Sequence, residues 1–166
     1  FGKANGFDAA IDLSGLDGSN GFRLDGEAAG DRSGFSVSNA GDVNSDGFDD
    51  LIIGAYGVDP NGSSYVVFGK ASGFDAAMAL SSLDGSNGFR LDGVAAFDLS
   101  GASVSNAGDV NGDGFDDVII GGRYADGNEH YGPSYVVFGE AAPFDATLDL
   151  ASLDGNNGFR VGAGDQ

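Results

Sequence analysis

A long internal repeat constrains this chain more than any other feature. Phe1-Gly2-Lys3 returns as Phe68-Gly69-Lys70 and, slightly altered, as Phe138-Gly139-Glu140, at spacings of 67 and then 70 residues. The eight residues from Leu16 to Arg23 return at Leu83 to Arg90 and at Leu153 to Arg160. Ser36 to Asn44 returns once, at Ser103 to Asn111. Self-similarity of this kind means that one supersecondary unit is stacked on copies of itself.

Within a unit, the strand signals keep a fixed order. Phe35 and Val37 alternate with serines, giving a first strand over 34–39. An aspartate-rich loop follows, then an apolar strand over 50–56. A Gly/Asn/Pro turn at 59–62 leads into a third strand over 64–68. A long connection over 71–87 precedes a short fourth strand over 89–92. Four antiparallel strands per unit make a β-propeller blade, so the expected fold is all-β. A solenoid rung is far shorter than this period, and a sandwich has no reason to repeat. The expected organisation is the end of a preceding blade and linker over 1–33, one blade over 34–100, and a second blade with the start of the next over 101–166. The second unit's three extra residues fall between Gly121 and Ser134, in a loop that tolerates insertion.

Composition agrees. The 31 glycines against 3 prolines imply many tight turns and many short strands. A net charge of −19 repels phosphate backbones and argues against a nucleic-acid partner. Such charge also opposes compaction unless cations neutralise part of it. There is no cysteine, hence no disulfide framework or thiolate metal site. No apolar stretch approaches the roughly 20 residues that span a bilayer. No leader is visible in a chain opening at Phe1, which fits processing or truncation.

The chemistry lies in two segments that read D-x-N-x-D-G-x-x-D. The first runs from Asp42 through Asn44, Asp46 and Phe48 to Asp50. The second runs from Asp109 through Asn111, Asp113 and Phe115 to Asp117. Side-chain oxygens at positions 1, 3, 5 and 9, with the carbonyl of the phenylalanine at position 7, suit a hard cation. Calcium takes six to eight oxygens at about 2.3–2.6 Å, whereas magnesium rarely accepts an all-protein cage. The expectation is two Ca2+ sites. An EF-hand is excluded because its twelfth residue is an acidic ligand, and here the twelfth residues are Ile53 and Ile120. An acidic turn that binds nothing is the plain alternative. Two copies at one offset in matching repeats argue against it.

The unit resembles the FG-GAP repeat, the blade of the integrin α propeller and of many bacterial surface proteins. Gly34, Ser36 and Val37 carry the match to its F-G-x-S-V element, as do Gly101, Ser103 and Val104. Leu51-Ile52-Ile53-Gly54-Ala55 matches the closing L-I-[VI]-G-A-P well, and 118–121 less so. Ser33 and Ser100 stand where the family has phenylalanine, and Tyr56 and Arg123 where it has proline. The resemblance implies a Ca2+-stabilised propeller used for extracellular binding.

Other candidates have plainer readings. His130 sits in the lengthened loop with Asp126, Asn128, Glu129 and Tyr131, and a solvated loop histidine is the simplest account. Asp17, Asp84 and Asp154 read as turn formers, and Arg23, Arg90 and Arg160 as partners of nearby carboxylates. Asp49 and Asp116, at loop position 8, point away from the cation. No nucleophile–base constellation remains, so no enzyme is expected. The leading expectation is a secreted or cell-surface module for adhesion, binding a protein or glycan. A structural subunit of an extracellular filament or array, completed by further copies of itself, is the second.

Overall fold

The computed structural model describes residues 2, 9–58, 60–125 and 130–162. Its strands are β1 (Arg23–Asp25), β2 (Ser36–Gly41), β3 (Asp50–Ala55), β4 (Ser63–Val67), β5 (Ala77–Ala79), β6 (Gly88–Asp92), β7 (Ser103–Gly108), β8 (Asp117–Gly121), β9 (Tyr124–Ala125), β10 (His130–Tyr131), β11 (Ser134–Val137), β12 (Thr147–Asp149) and β13 (Gly158–Val161). Three 3-10 turns, Leu13–Gly15, Leu80–Ser82 and Leu150–Ser152, are the helical elements among the described residues. None is long and apolar enough to cross a membrane.

Each unit forms one antiparallel sheet. The first has the order β6-β4-β3-β2 and the second β13-β11-β8-β7. The middle strands are continuous runs of Ile, Val and Tyr because both of their faces are covered. Ile52 pairs with Val66 and points to one side, while Ile53 pairs with Tyr65 and points to the other. On one side Ile52, Val66, Phe89 and Leu91 share a core with Val104, Ile120, Tyr135 and Val137 of the second sheet. On the other, Ile53, Tyr65 and Val67 share a core with Leu80, Leu24 and Met78. The two sheets therefore stack face to face, with a further layer against the first.

Glycines let the layers approach. Gly101 has φ +85°, and a Cβ there would overlap the Ser63 carbonyl oxygen and lie 2.8 Å from Ser64 Oγ. A Cβ on Gly54 would overlap the Gly101 carbonyl oxygen. The glycines of the two repeated elements thus meet across the inter-sheet seam.

The expected connection over 71–87 is not structureless. It holds β5 and a 3-10 turn, and β5 pairs in parallel with β1 (Arg23 opposite Ala77, Leu24 opposite Met78). The same happens one repeat later, where β12 adds in parallel to β6 (Arg90 opposite Thr147, Leu91 opposite Leu148). Each unit thus lends a short strand to the outer edge of the one before it. Three-residue segments such as Ala77-Met78-Ala79 carry no periodicity from which sequence could find them.

Candidate metal centre

Each aspartate loop begins at a β-bulge. Pairing shifts between Asn39 and Gly41 in β2 and between Asn106 and Gly108 in β7, where the glycines adopt φ +75° and +69°. The bulge turns the chain out of the sheet, and the loop returns it as β3 or β8.

The two loops fold by nearly the same hydrogen bonds. Asp42 accepts from the N–H groups of Asp46 (3.0 Å) and Gly47 (2.9 Å). Asp109 accepts from Asp113 (3.0 Å) and Gly114 (2.9 Å), and also from Gly112 (2.7 Å). Asn44 and Asn111 each accept from the N–H two residues on, at 3.0 Å. Asp46 and Asp113 accept from Phe48 and Phe115 at 2.9 and 3.0 Å. Positions 4 and 6 are left-handed. Gly112, Gly47 and Gly114 suit this conformation, and Ser45 adopts it with a side chain (φ +56°).

Position 9 differs from the others in being fully buried. Asp50 and Asp117 are both 0% exposed. Asp50 accepts from Val43 (3.0 Å) inside the loop and from Gly69 (2.8 Å) beyond β4. Asp117 repeats this with Val110 (2.8 Å) and Gly139 (3.0 Å). Gly69 and Gly139 belong to the recurring Phe-Gly that opened the sequence argument. A Cβ on either would press on Phe48 or Phe115 at 2.7 or 2.8 Å, so only glycine brings its N–H this close. The recurrence marked these residues, but their role as a clasp on the loop needed the fold.

Burial sets the electrostatics. Desolvation pushes the Asp50 carboxyl up to about 7, against the N–H bonds of Gly69 and Val43, with Asp46 and Asp42 adding to the rise. Asp117 is raised likewise by desolvation, with Asp113 and Asp109 contributing. Three carboxylates per loop therefore repel one another. Among the described residues no basic side chain pairs with any of the six, and the ion pairs join Arg23 to Asp25 (2.6 Å) and Arg90 to Asp92 (2.5 Å) and Glu27 (3.1 Å).

The donor chemistry fits a hard divalent cation: carboxylate and amide oxygens at alternate positions, mutually repelling, with no counter-charge. Among the described residues no three acidic or histidine side chains converge as a cage. Their oxygens are turned onto the loop's own N–H groups instead. The expected ligands Asp42, Asn44, Asp46, Asp50 and Asp109, Asn111, Asp113, Asp117 lie around their respective loops. Phe48 and Phe115 stand at position 7, with Phe48 41% exposed.

The loops also touch each other. Asp116, at position 8 of the second loop, accepts from the N–H of Asp42 (2.9 Å), while its own N–H donates to the Asp42 carbonyl (3.2 Å). The Glu140 N–H donates to the Val43 carbonyl at 3.0 Å. Asp49, the counterpart of Asp116, accepts from Asn39 Nδ2 at 3.3 Å. Position 8 of the second loop serves the contact between loops.

Residues 33–67 and 100–137 match the family model described as the FG-GAP repeat. The chain carries two FG-GAP repeats. It is 34% identical to integrin alpha-4 of Xenopus laevis over 97 residues, 57% of this chain and 9% of that protein. It is 33% identical to integrin alpha-PS2 of Drosophila melanogaster over 127 residues, 71% of this chain and 8% of that protein. The chain thus spans under a tenth of these relatives. FG-GAP repeats are propeller blades, and the two four-stranded sheets are such blades.

Outside the FG-GAP loops, the remaining candidates fall into place as structural groups. Asp17 and Asp84 each accept from the hydroxyl of the serine two residues on (2.8 and 2.7 Å) and from its N–H (2.9 and 3.0 Å), and Asp154 accepts from the Asn156 N–H (2.9 Å), which holds their carboxyls below the usual range. Arg23 and Arg90 pair with the aspartate two residues on, whereas Arg160 has Gly162 at that place. His130 lies in β10, whose backbone pairs with β9. Asp126, Asn128 and Glu129 lie outside the described residues.

Proposed function

We propose that the protein is a non-enzymatic, Ca2+-binding β-propeller repeat module that acts outside the cell or at its surface, in adhesion to a protein or glycan. The observation that carries the metal is the pair of buried carboxylates, Asp50 and Asp117, each beside two further aspartates with no basic partner among the described residues. The ion would be held in one loop by Asp42, Asn44, Asp46, Asp50 and the Phe48 carbonyl, and in the other by Asp109, Asn111, Asp113, Asp117 and the Phe115 carbonyl. It would supply positive charge that relieves the repulsion within each loop. The likeness to integrin alpha chains supports adhesion as the role, and millimolar external calcium matches loops with dissociation constants of about 10⁻⁴ to 10⁻³ M.

Titration calorimetry with calcium, after chelation, tests the metal. Two ions per chain are expected, and one after Asp42→Ala or Asp109→Ala. At about 10 mM calcium and a dissociation constant of about 0.1 mM, each site stabilises the fold by about 2.7 kcal/mol. Equal melting temperatures in chelator and in calcium would overturn the proposal.

A further inference from the structure

We infer that the two aspartate loops are coupled, so that a cation held in one raises the affinity of the other, through hydrogen bonds made by Asp116 and by the Val43 peptide. The inference rests on the calcium reading above and concerns how the two sites fill. Neither residue is one of the expected ligands.

Asp42 opens the first loop, and the second loop holds both polar groups of its backbone. The half-buried Asp116 carboxylate accepts from the Asp42 N–H at 2.9 Å, and the Asp116 N–H donates to the Asp42 carbonyl at 3.2 Å. Asp116 stands between Phe115 and Asp117, positions 7 and 9 of its own loop. A rearrangement that settles those two positions around an ion therefore settles Asp116 as well. The approach is close on the other side too, since a Cβ on the bulge glycine Gly41 would overlap the Asp116 carboxylate.

A second path joins the two buried carboxylates. Asp117 accepts from the Gly139 N–H at 3.0 Å. The next N–H along, that of Glu140, donates to the Val43 carbonyl at 3.0 Å. The Val43 N–H donates in turn to Asp50 at 3.0 Å. Hydrogen bonds thus run from the position-9 carboxylate of one loop to that of the other by way of the Val43 peptide. Val43 is buried, and a Cβ on Gly139 would lie 2.6 Å from its carbonyl oxygen and 2.5 Å from that of Asp116, so this path has little slack.

The sign of the coupling follows from what each loop must reorganise. The loop oxygens are turned onto the loop's own N–H groups, so taking up a cation requires the loop to rearrange. Rearrangement of the second loop fixes Asp116, and Asp42 with it, and the first loop then loses less freedom when its own ion arrives. The effect is reciprocal, so either ion favours the other equally. Charge opposes it, since a cation in one loop weakens the attraction for a cation in the next. Salt screens that repulsion and leaves the hydrogen bonds in place.

Titration calorimetry of Phe1–Gln166 with calcium chloride, in about 150 mM salt, tests this. Asp109→Ala isolates the first site and Asp42→Ala the second. The product of the two stepwise binding constants of the wild type should exceed the product of the two isolated constants by roughly tenfold. Asp116→Ala, introduced into all three proteins, should cut that ratio to about threefold or less. Asp116→Asn loses the charge but keeps an acceptor for the Asp42 N–H, and should preserve the ratio. Thermal melts check folding, and Asp46→Asn and Asp113→Asn, which keep acceptors for the Phe48 and Phe115 N–H groups, replace an alanine variant that does not fold. Two ions bound by the wild type with a ratio near 1 overturn the coupling and leave the calcium reading standing. A ratio that Asp116→Ala leaves unchanged, or that Asp116→Asn abolishes, overturns the part given to Asp116. Wild type that takes up no calcium overturns the calcium reading and the coupling together.

Discussion

In the absence of divalent metal, the protein should lose stability as pH rises from about 4 to about 7. Asp50 is responsible: its carboxyl is fully buried and pushed up to about 7, against an ordinary 3.8. Below 3.8 the folded and unfolded chains both hold the proton, and the group has no effect. Between the two values the unfolded chain has released the proton and the folded chain has kept it, so each rise in pH favours unfolding. Above 7 the penalty is complete. A displacement of this size is worth at most about 4 kcal/mol, and solvent at the exposed rim of the loop brings it to about 2 kcal/mol. Asp117 adds in the same direction. The exposed aspartates held low by local bonds, Asp12, Asp17, Asp84 and Asp154, act in a separate window, since their contribution is lost only as pH falls below 3.8. Urea unfolding in chelator at pH 5 and pH 8 reads the difference, provided the slope against urea is unchanged. Asp50→Asn should flatten the dependence, and calcium at pH 8 should reverse it. A metal-free stability that rises across this window, or an Asp50→Asn protein with the full dependence, refutes the reasoning.

Three further outcomes follow from single contacts. Gly101→Ala should cost at least about 3 kcal/mol, because a left-handed residue gains a Cβ against Ser63, whereas Gly112→Ala, equally left-handed but in open space, should cost about 1 kcal/mol; urea melts of the pair separate strain from overlap. Tyr65→Phe should leave stability unchanged or raise it by about 1 kcal/mol, since the buried hydroxyl has no partner. A clear loss in thermal unfolding contradicts this. Asp116→Ala should cost about 1–2 kcal/mol in urea unfolding, by stranding the half-buried Asp42 N–H, and Asp49→Ala less, because Asp49 holds only a side-chain amide at 3.3 Å. Equal losses from the two count against position 8 as the link between loops.

The parts legible in the sequence were those with local causes. The expected strands over 34–39, 50–56, 64–68 and 89–92 correspond to β2, β3, β4 and β6, each within two residues at either end. Apolar and β-branched runs bounded by glycine turns specify such strands without reference to the rest of the chain. The aspartate loops were equally visible, since their internal bonds join residues two to seven apart. Less could be read wherever the cause is distant. That Asp50 is buried, and that Gly69 holds it, depends on a turn 19 residues away. That Asp116 reaches Asp42 depends on stacking the two sheets.

The added strand shows the same limit most sharply. Ala77-Met78-Ala79 has neither alternation nor turn signals, and it becomes a strand only because β1 of the preceding unit offers an unpaired edge. Its information is therefore held jointly by two repeats, which a reading of one unit misses. An edge that each unit leaves open and the next unit closes is self-propagating: every added blade satisfies one edge and creates another of the same kind. Stability in such a stack is a sum over seams as much as over blades. A substitution at a seam, such as Gly101→Ala, should accordingly weaken two units at once, whereas one in a loop, such as Gly112→Ala, weakens one.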